Sequence, residues 1–139
     1  MLRLFGLSAS WCGHKVRARS RYLLAALFVT AGLSHFLFPE PFVRIVPPAL
    51  PAPLGLVYLS GLLEVLGGLG LLSRYRRPAA WGLVLLLVAV YPANLYMAME
   101  PERAGAGIPP LLLWLRLPLQ FVLCGWLLWA VRPPRDSAD

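Results

Sequence analysis

Residues 54–72 have the sequence LGLVYLSGLLEVLGGLGLL, 19 residues in which Glu64 is the only charged side chain. At a rise of about 1.5 Å per residue, a helix over this segment is about 28 Å long, close to the thickness of a bilayer core. A charge at the centre of a spanning helix costs about 2.5–3.5 kcal/mol. The nine leucines of the segment, at roughly 0.3–0.6 kcal/mol each, can offset that cost. The segment therefore predicts a transmembrane helix that carries a carboxyl group.

Three further segments of similar length and hydropathy lie along the chain, at residues 22–38, 79–99 and 111–131. Of the 139 residues, 59% are hydrophobic and 14% are charged, and the mean hydropathy is +0.69. An ordinary soluble domain has about 45–50% apolar and about 25% charged residues. A soluble helical bundle would also need polar helix faces, which these segments lack. The sequence predicts an all-α membrane protein, a four-transmembrane-helix bundle.

The predicted plan is a basic tail at 1–21, a membrane domain at 22–131 and a second tail at 132–139. One alternative is that 22–38 is the core of a signal peptide. The bulky, proline-rich sequence that follows has no small-x-small cleavage pattern. We therefore expect this segment to be retained as the first transmembrane helix.

Lys and Arg are distributed unevenly between the two sides of the predicted bundle. The positive-inside rule places both termini in the cytoplasm. We expect a multi-pass protein of the bacterial cytoplasmic (inner) membrane. Because the basic groups adjoin apolar segments, the net charge of +7 indicates membrane topology rather than nucleic-acid binding. Ten basic residues lie on the cytoplasmic side, namely Arg3, Lys15, Arg17, Arg19, Arg21, Arg74, Arg76, Arg77, Arg132 and Arg135, and two, Arg44 and Arg103, lie on the other.

Each predicted helix contains at least one polar side chain in its outer half. We expect Glu64 and Arg116 to form a buried ion pair, because the long arginine side chain can span their difference in depth. Ser60, Glu64 and Gly67 form one stripe of the second helix, and its small residues allow close helix approach, which turns this stripe inward. The predicted polar cluster consists of His35, Ser60, Glu64, Asn94, Arg116 and Gln120.

Two interpretations of this cluster are open. It is either a hydrogen-bonded group that fixes helix register, or a pocket that binds a small lipophilic ligand such as a quinone or passes a proton through His35. The sequence shows no catalytic set, no metal-ligand group and no intrinsic cofactor, so we expect no enzyme activity from this chain alone. Cys12 and Cys124 form no Cys-x-x-Cys pair, which disfavours a dithiol mechanism.

The connection at 39–53 contains six prolines and several large apolar residues. Such a segment is too apolar for a solvated loop, so we expect a short interfacial piece over the outer mouth of the bundle, acting as a lid or as a membrane anchor. Pro92 and Pro118 fall inside the third and fourth predicted helices. We expect them to kink these helices and to free a backbone carbonyl that neighbouring donors must satisfy.

Five motifs follow one another along the chain: Ala31-Gly-Leu-Ser-His35-Phe36, Pro39-Glu-Pro-Phe42, Ser60-Gly-x-x-Glu64 with Gly67-Gly68, Tyr91-Pro-Ala-Asn94 and Arg116-Leu-Pro-Leu-Gln120. In this order they resemble the DoxX-like membrane proteins over roughly residues 22–131. The resemblance implies a four-helix membrane bundle. It also implies links to quinone-dependent oxidation complexes, to methylamine-dehydrogenase maturation or, among distant eukaryotic relatives, to assembly of other membrane proteins.

Three functions are consistent with these features. The first is a non-catalytic accessory or assembly subunit that contacts a membrane-protein partner or a second copy of the chain. The second is a quinone- or small-molecule-binding subunit of an electron-transfer complex whose redox centre lies on another subunit. The third is a small transporter or proton-conducting protein, which four short helices without an internal repeat disfavour.

Single cysteines can test the predicted orientation. Ala106→Cys, in the connection before the fourth helix, should react with an impermeant thiol reagent added to intact cells, because the positive-inside rule places it outside. Ser137→Cys, in the C-terminal tail, should remain unlabelled. The reverse pattern would contradict the orientation.

Overall fold

A computed structural model describes residues 3–105 and 107–133, and of residues 3–12 and 14 it describes only the backbone. This part of the chain forms six helices and no strand. The helices are α1 (Arg3–Leu37), α2 (Pro39–Arg44), α3 (Pro53–Gly70), α4 (Arg76–Met99), α5 (Pro101–Ala104) and α6 (Pro110–Ala130). Four of them, α1 from Lys15 onward, α3, α4 and α6, are long and apolar enough to cross a membrane. The predicted all-α four-helix bundle is confirmed.

The helix boundaries agree with the predicted spans except at the N-terminus. α3, α4 and α6 begin and end within three residues of the predicted segments. α1 begins at Arg3, so the described part of the predicted tail is helical and continuous with the first span. Of the C-terminal tail only 132–133 are described, and positions 106 and 137 of the labelling experiment lie outside the described residues.

The four long helices form a ring in which each packs against two neighbours. α1 lies beside α3 and α6, and α4 lies beside the same two helices. One diagonal of the ring therefore joins α1 to α4, and the other joins α3 to α6. α2 packs against α3, α5 packs against α4, and the two short helices also touch each other, so they cover the same end of the bundle.

α1 and α3 make the most extensive contact of the ring, along a line of small residues. A Cβ placed on Gly32 of α1 would lie 2.5 Å from the Gly61 carbonyl oxygen of α3, and one on Gly61 would lie 2.8 Å from the Gly32 carbonyl oxygen. Further along, a Cβ on Gly68 would lie 3.1 Å from the Ala25 carbonyl oxygen. The absence of side chains lets the two backbones approach closely. This line of Ala25, Gly32, Gly61 and Gly68 is termed the glycine seam.

Apolar side chains fill both ends of the bundle. In lipid, their contacts stabilise the fold through van der Waals packing rather than through the hydrophobic effect. The end of the bundle next to Arg21, Arg76 and Arg132 is termed the basic end. Its core consists of Leu24, Ala25, Phe28, Leu71, Ala80, Leu83, Leu127, Ala130 and Val131. The core at the opposite end consists of Met97, Ala98, Ala104, Leu113 and Leu117.

The outer surface of the ring is also apolar. Leu66, Leu85 and Leu119 are 57%, 67% and 62% exposed, and each lies on a different long helix. α4 and α6 continue through Pro92 and Pro118, as the tolerance of proline in transmembrane helices allows. A surface of this kind fits a multi-pass integral membrane protein, because hydrocarbon can cover it where water cannot.

Alanine at Gly61 tests the glycine seam. The added methyl group would lie 2.7 Å from the His35 Cβ and 2.8 Å from the Gly32 carbonyl oxygen, so α1 and α3 would have to separate. Overpacking of this kind costs about 1–3 kcal/mol. We expect Gly61→Ala to lower thermal stability in detergent.

Gly125→Ala is the matched control, because no heavy atom lies within 4 Å of the Cβ position at this glycine of α6. This variant should melt at or slightly above the wild-type temperature, since alanine has the higher helix propensity. If both variants melted alike, the close approach of α1 and α3 would be refuted.

Candidate functional site

His35 lies in the last turn of α1, where two oxygen atoms of α3 hold its ring. Its Nδ1 is 3.2 Å from the carbonyl oxygen of Val57 and 3.1 Å from the Oγ of Ser60. The Ser60 hydroxyl also donates to the Val57 carbonyl oxygen, at 2.9 Å. The missing side chain of Gly61 makes room for this arrangement, since a Cβ there would lie 2.7 Å from the His35 Cβ. As a result His35 is only 8% exposed.

These contacts determine which ring nitrogen of His35 carries hydrogen. The Val57 carbonyl can only accept, and the Ser60 hydroxyl uses its own hydrogen on that carbonyl, so Nδ1 is the donor. In the neutral ring, Nε2 is then an acceptor. Nε2 lies 4.0 Å from the Oε2 of Glu64. The second nitrogen of His35 thus faces a carboxyl group.

Glu64 and His35 are the only pair of potentially opposite charges within 4.0 Å in the described part of the chain. Their side chains are 13% and 10% exposed, and Glu64 Oε2 is buried without a hydrogen-bond partner. An unpaired charge inside a span is costly. One proton shared by the two groups avoids that cost: on Glu64 it leaves both neutral, and on His35 it makes both charged. The pair can therefore hold a proton, or bind a polar group of a ligand.

A side chain of α2 packs against the imidazole. The ring centroids of Phe42 and His35 are 4.0 Å apart, and the ring planes are tilted by 52°. Phe42 belongs to the segment at 39–53, so this segment covers the pair directly. Phe42 is thus a site residue outside the predicted polar cluster. Its signal is the motif Pro39-Glu-Pro-Phe42, which turns the chain back immediately after α1. His35, Phe42, Val57, Ser60 and Glu64 are termed the His35–Glu64 site.

Asn94 and Gln120 form a second polar group, between α4 and α6. Asn94 Nδ2 donates to Gln120 Oε1 at 2.7 Å, and Gln120 Nε2 donates to the Leu87 carbonyl oxygen at 2.6 Å. Pro92 removes the helical partner of the Val88 carbonyl, for which a neighbouring donor was expected. Gln120 instead donates to the carbonyl of Leu87, one residue earlier in α4.

The predicted ion pair between Glu64 and Arg116 is wrong. Arg116 is exposed, its Nη1 lies 3.9 Å from the Sδ of Met97, and no described carboxylate lies within 4.0 Å of it. The reason is that α3 and α6 lie on a diagonal of the ring, while the glycine seam turns Glu64 toward α1. The predicted cluster thus divides into the His35–Glu64 site, the amide pair of Asn94 and Gln120, and an exposed arginine.

Within the described residues, no group of three or more His, Cys, Asp or Glu side chains is placed to hold a metal ion. Cys124 is half-buried and forms no disulfide. The side chain of Cys12 lies outside the described part of the chain.

Two double-mutant cycles distinguish the observed partner of Glu64 from the predicted one. Because Glu64 faces His35, Glu64→Gln and His35→Gln should be coupled, with an interaction energy of about 0.5–3 kcal/mol. Glu64→Gln and Arg116→Gln should be additive, because these side chains share no partner. The free energy of unfolding in detergent, measured for single and double variants, checks both. If Glu64→Gln were coupled to Arg116→Gln but additive with His35→Gln, the pairing of Glu64 with His35 would be refuted.

Residues 24–132 match the profile of a protein family described as a domain of unknown function, DUF8561. Comparison with curated proteins and with solved structures gave no match. The matched range begins in α1 and ends just after α6, so it includes both polar groups and the exposed arginine. Since the match covers well over half of its 139 residues, the chain belongs to the DUF8561 family.

Proposed function

We propose that this protein is a non-catalytic accessory or assembly subunit that binds another membrane protein, or a second copy of itself, through α6. The observation that carries the proposal is Arg116. It is the only charged residue of α6, its side chain is exposed, and no carboxylate of the described chain lies within 4.0 Å. A cation inside a membrane span is costly without a partner, and such residues mark contacts with other polar groups.

The surroundings of Arg116 indicate the kind of partner. Its guanidinium contacts Met97, two residues before the end of α4, so the charge lies near the end of the bundle that α2 and α5 cover. Leu112 and Leu119, one turn before and after Arg116, are 51% and 62% exposed. An apolar helix face with one cation near its end fits a partner helix that carries a carboxylate at the same level.

The other polar side chains support a structural rather than a catalytic use. His35 binds Ser60 and the Val57 carbonyl of the neighbouring helix, and Asn94 binds Gln120. No hydrogen bond joins the two groups in the described residues. Hydrogen bonds of this kind between adjacent helices fix their register. Most of the chain's polar chemistry therefore holds the bundle together, which leaves its surface for binding.

Replacing Arg116 tests the accessory role. After extraction of native membranes in mild detergent, we expect wild type to migrate in a complex larger than one 15.3 kDa chain, and Arg116→Gln to migrate as the smaller species. Arg103→Gln is the matched control, because Arg103 is an exposed cation in α5 at the same end. Mass spectrometry of the complex separates a partner protein from a second copy. A monomeric wild type, or a complex that survives Arg116→Gln, would refute the proposal.

We also propose that both termini lie in the cytoplasm and that the membrane is the bacterial inner membrane. Basic residues before the first span bind the far end of the chain: Arg17 donates to the Pro133 carbonyl oxygen at 2.9 Å, and Arg21 donates to that of Ala130 at 3.2 Å. These contacts gather positive charge at one end, as the positive-inside rule requires of the cytoplasmic side. The resemblance to DoxX-like proteins is consistent with an assembly role.

The buried carboxyl oxygen of Glu64 favours a second candidate function, binding of a quinone or similar lipophilic molecule in an electron-transfer complex. Glu64 Oε2 has no hydrogen-bond partner, and it lies 4.0 Å from the Nε2 of His35. Together the two atoms offer a proton and a lone pair, which suit a carbonyl or hydroxyl oxygen. Phe42 adds an apolar wall. A bound quinone would supply redox chemistry, while His35 and Glu64 would hold its oxygen and exchange a proton with it.

Lipid extraction of the purified protein tests this second function. If it holds, wild type carries a quinone that His35→Gln and Glu64→Gln lose while remaining folded. Ser34→Ala is the matched control, because Ser34 precedes His35 but its hydroxyl donates to the Ala31 carbonyl oxygen of its own helix. The ligand function would be refuted if wild type carried no quinone, no added quinone raised its melting temperature, and both variants complemented a deletion strain.

A further inference from the structure

A groove runs between α3 and α4 at the basic end of the bundle. Its volume is about 500 Å³, within the range of about 300–1,000 Å³ that is usual for small-molecule sites. Its walls are mostly apolar or bare backbone, and they include Leu63, Leu66, Gly70, Tyr75, Gly82 and Leu83. The groove lies on the α4 side of α3, whereas the glycine seam is on the α1 side.

The groove is about one membrane leaflet deep. Along α3 it extends from Leu63, near the middle of the helix, to Ser73, just beyond its end. From Leu63 to Gly70 the helix rises by about 10 Å, and together with the turn 71–73 beyond its end the groove is comparable in length with half of a hydrocarbon core of about 30 Å. A groove that ends near mid-bilayer fits one acyl chain better than a spanning helix of another protein.

Glycines give the groove its shape. α3 and α4 lie close together at Gly70, where an added Cβ would lie 2.7 Å from the Ala79 Cβ. Beside this contact, the Cβ position of Gly82 has no heavy atom within 4 Å. A side chain at Gly82 would therefore occupy the groove without displacing either helix.

Positive charge clusters next to the residues that line the groove at the basic end of the bundle. Arg74, Arg76 and Arg77 lie in or next to the connection that lines it, and all three are exposed with no carboxylate within 4.0 Å among the described residues. Arg74 is held at the rim by Tyr75: its Nη2 donates to the Tyr75 hydroxyl at 2.6 Å, and its guanidinium lies 4.7 Å from the ring centroid. Cations clustered in this way favour an anion beside them.

We propose that the groove binds an acyl chain of an anionic phospholipid, with the lipid phosphate against Arg74, Arg76 and Arg77. Basic residues at the membrane surface attract anionic headgroups, and basic pockets between transmembrane helices bind them specifically. The apolar groove and the cations next to it match the two parts of such a lipid. The groove is lined by residues of α3, α4 and their connection, whereas Arg116 lies on α6. The lipid proposal therefore does not depend on the partner proposed to bind α6.

Native mass spectrometry of the full chain, taken from vesicles of equimolar phosphatidylglycerol and phosphatidylcholine, tests the headgroup contact. Wild type should retain more phosphatidylglycerol than phosphatidylcholine, and the ratio of the two retained lipids is the quantity measured. Arg76→Gln combined with Arg77→Gln should lower the retained ratio by about 25-fold, because each basic residue near the surface contributes about a factor of five. Arg44→Gln combined with Arg103→Gln, at the other end of the bundle, should leave the ratio unchanged. An equal ratio in wild type and the first double variant would refute the proposal.

Filling the groove tests the acyl-chain contact. Gly82→Leu should reduce the number of retained lipids, because its side chain takes the place of the acyl chain. Gly125→Leu is the matched control, since the glycine lies on α6 and its Cβ position is equally open. Equal lipid retention by the two variants would refute the site. A wild-type dimer that Gly82→Leu abolishes would assign the groove to a second copy and would likewise overturn the lipid proposal.

Discussion

The close approach of α1 and α3 at Gly32 and Gly61 is the contact on which the interior of this bundle depends. In lipid, no hydrophobic force drives helices together, so association relies on van der Waals packing and hydrogen bonds. Bare backbone at the two glycines supplies the packing, and it leaves space for the imidazole of His35. The imidazole then reaches the Val57 carbonyl and supplies the hydrogen bond. A side chain at Gly32 or Gly61 would therefore weaken both the helix packing and the hydrogen bond of His35.

The same contact explains how a carboxyl group is tolerated inside a span. The glycine seam places Glu64 opposite His35, which can share one proton with it, so the pair has no net charge in either protonation state. A buried carboxyl with no basic neighbour can be neutral only by holding the proton itself, whereas His35 provides a second position for that proton. The pair is thus compatible with a bundle that only presents its surface to partners. It also retains an unpartnered oxygen that a ligand could use.

The fold could be predicted from the sequence because bilayer thickness fixes the length of each apolar segment, and few soluble folds share that pattern. The polar residues inside the spans could be predicted for the same reason. Their partners could not. Distance from the helix end gives the depth of Glu64 but not the side of the helix that faces each neighbour, so Arg116 was paired with it across a diagonal.

The predicted inward stripe on α3 illustrates the same limit. Ser60 and Glu64 do face α1, whereas Gly67 packs against Leu83 of α4. Residues of one predicted stripe on α3 thus contact two different helices. Which helix each residue contacts depends on how the four helices are arranged in the ring. Phe42 could not be predicted, because its place over His35 depends on the turn between α1 and α2.

The central claim is that His35 donates through Nδ1 and presents Nε2 to Glu64. It is tested most directly by nitrogen NMR of the full chain in bilayers with ¹⁵N-labelled histidine. The other histidine, His14, is separated by comparison with His35→Gln. We predict a protonated Nδ1 and an Nε2 resonance that shifts in Glu64→Gln but not in Arg116→Gln. An unprotonated Nδ1, or an Nε2 resonance insensitive to Glu64→Gln, would contradict it.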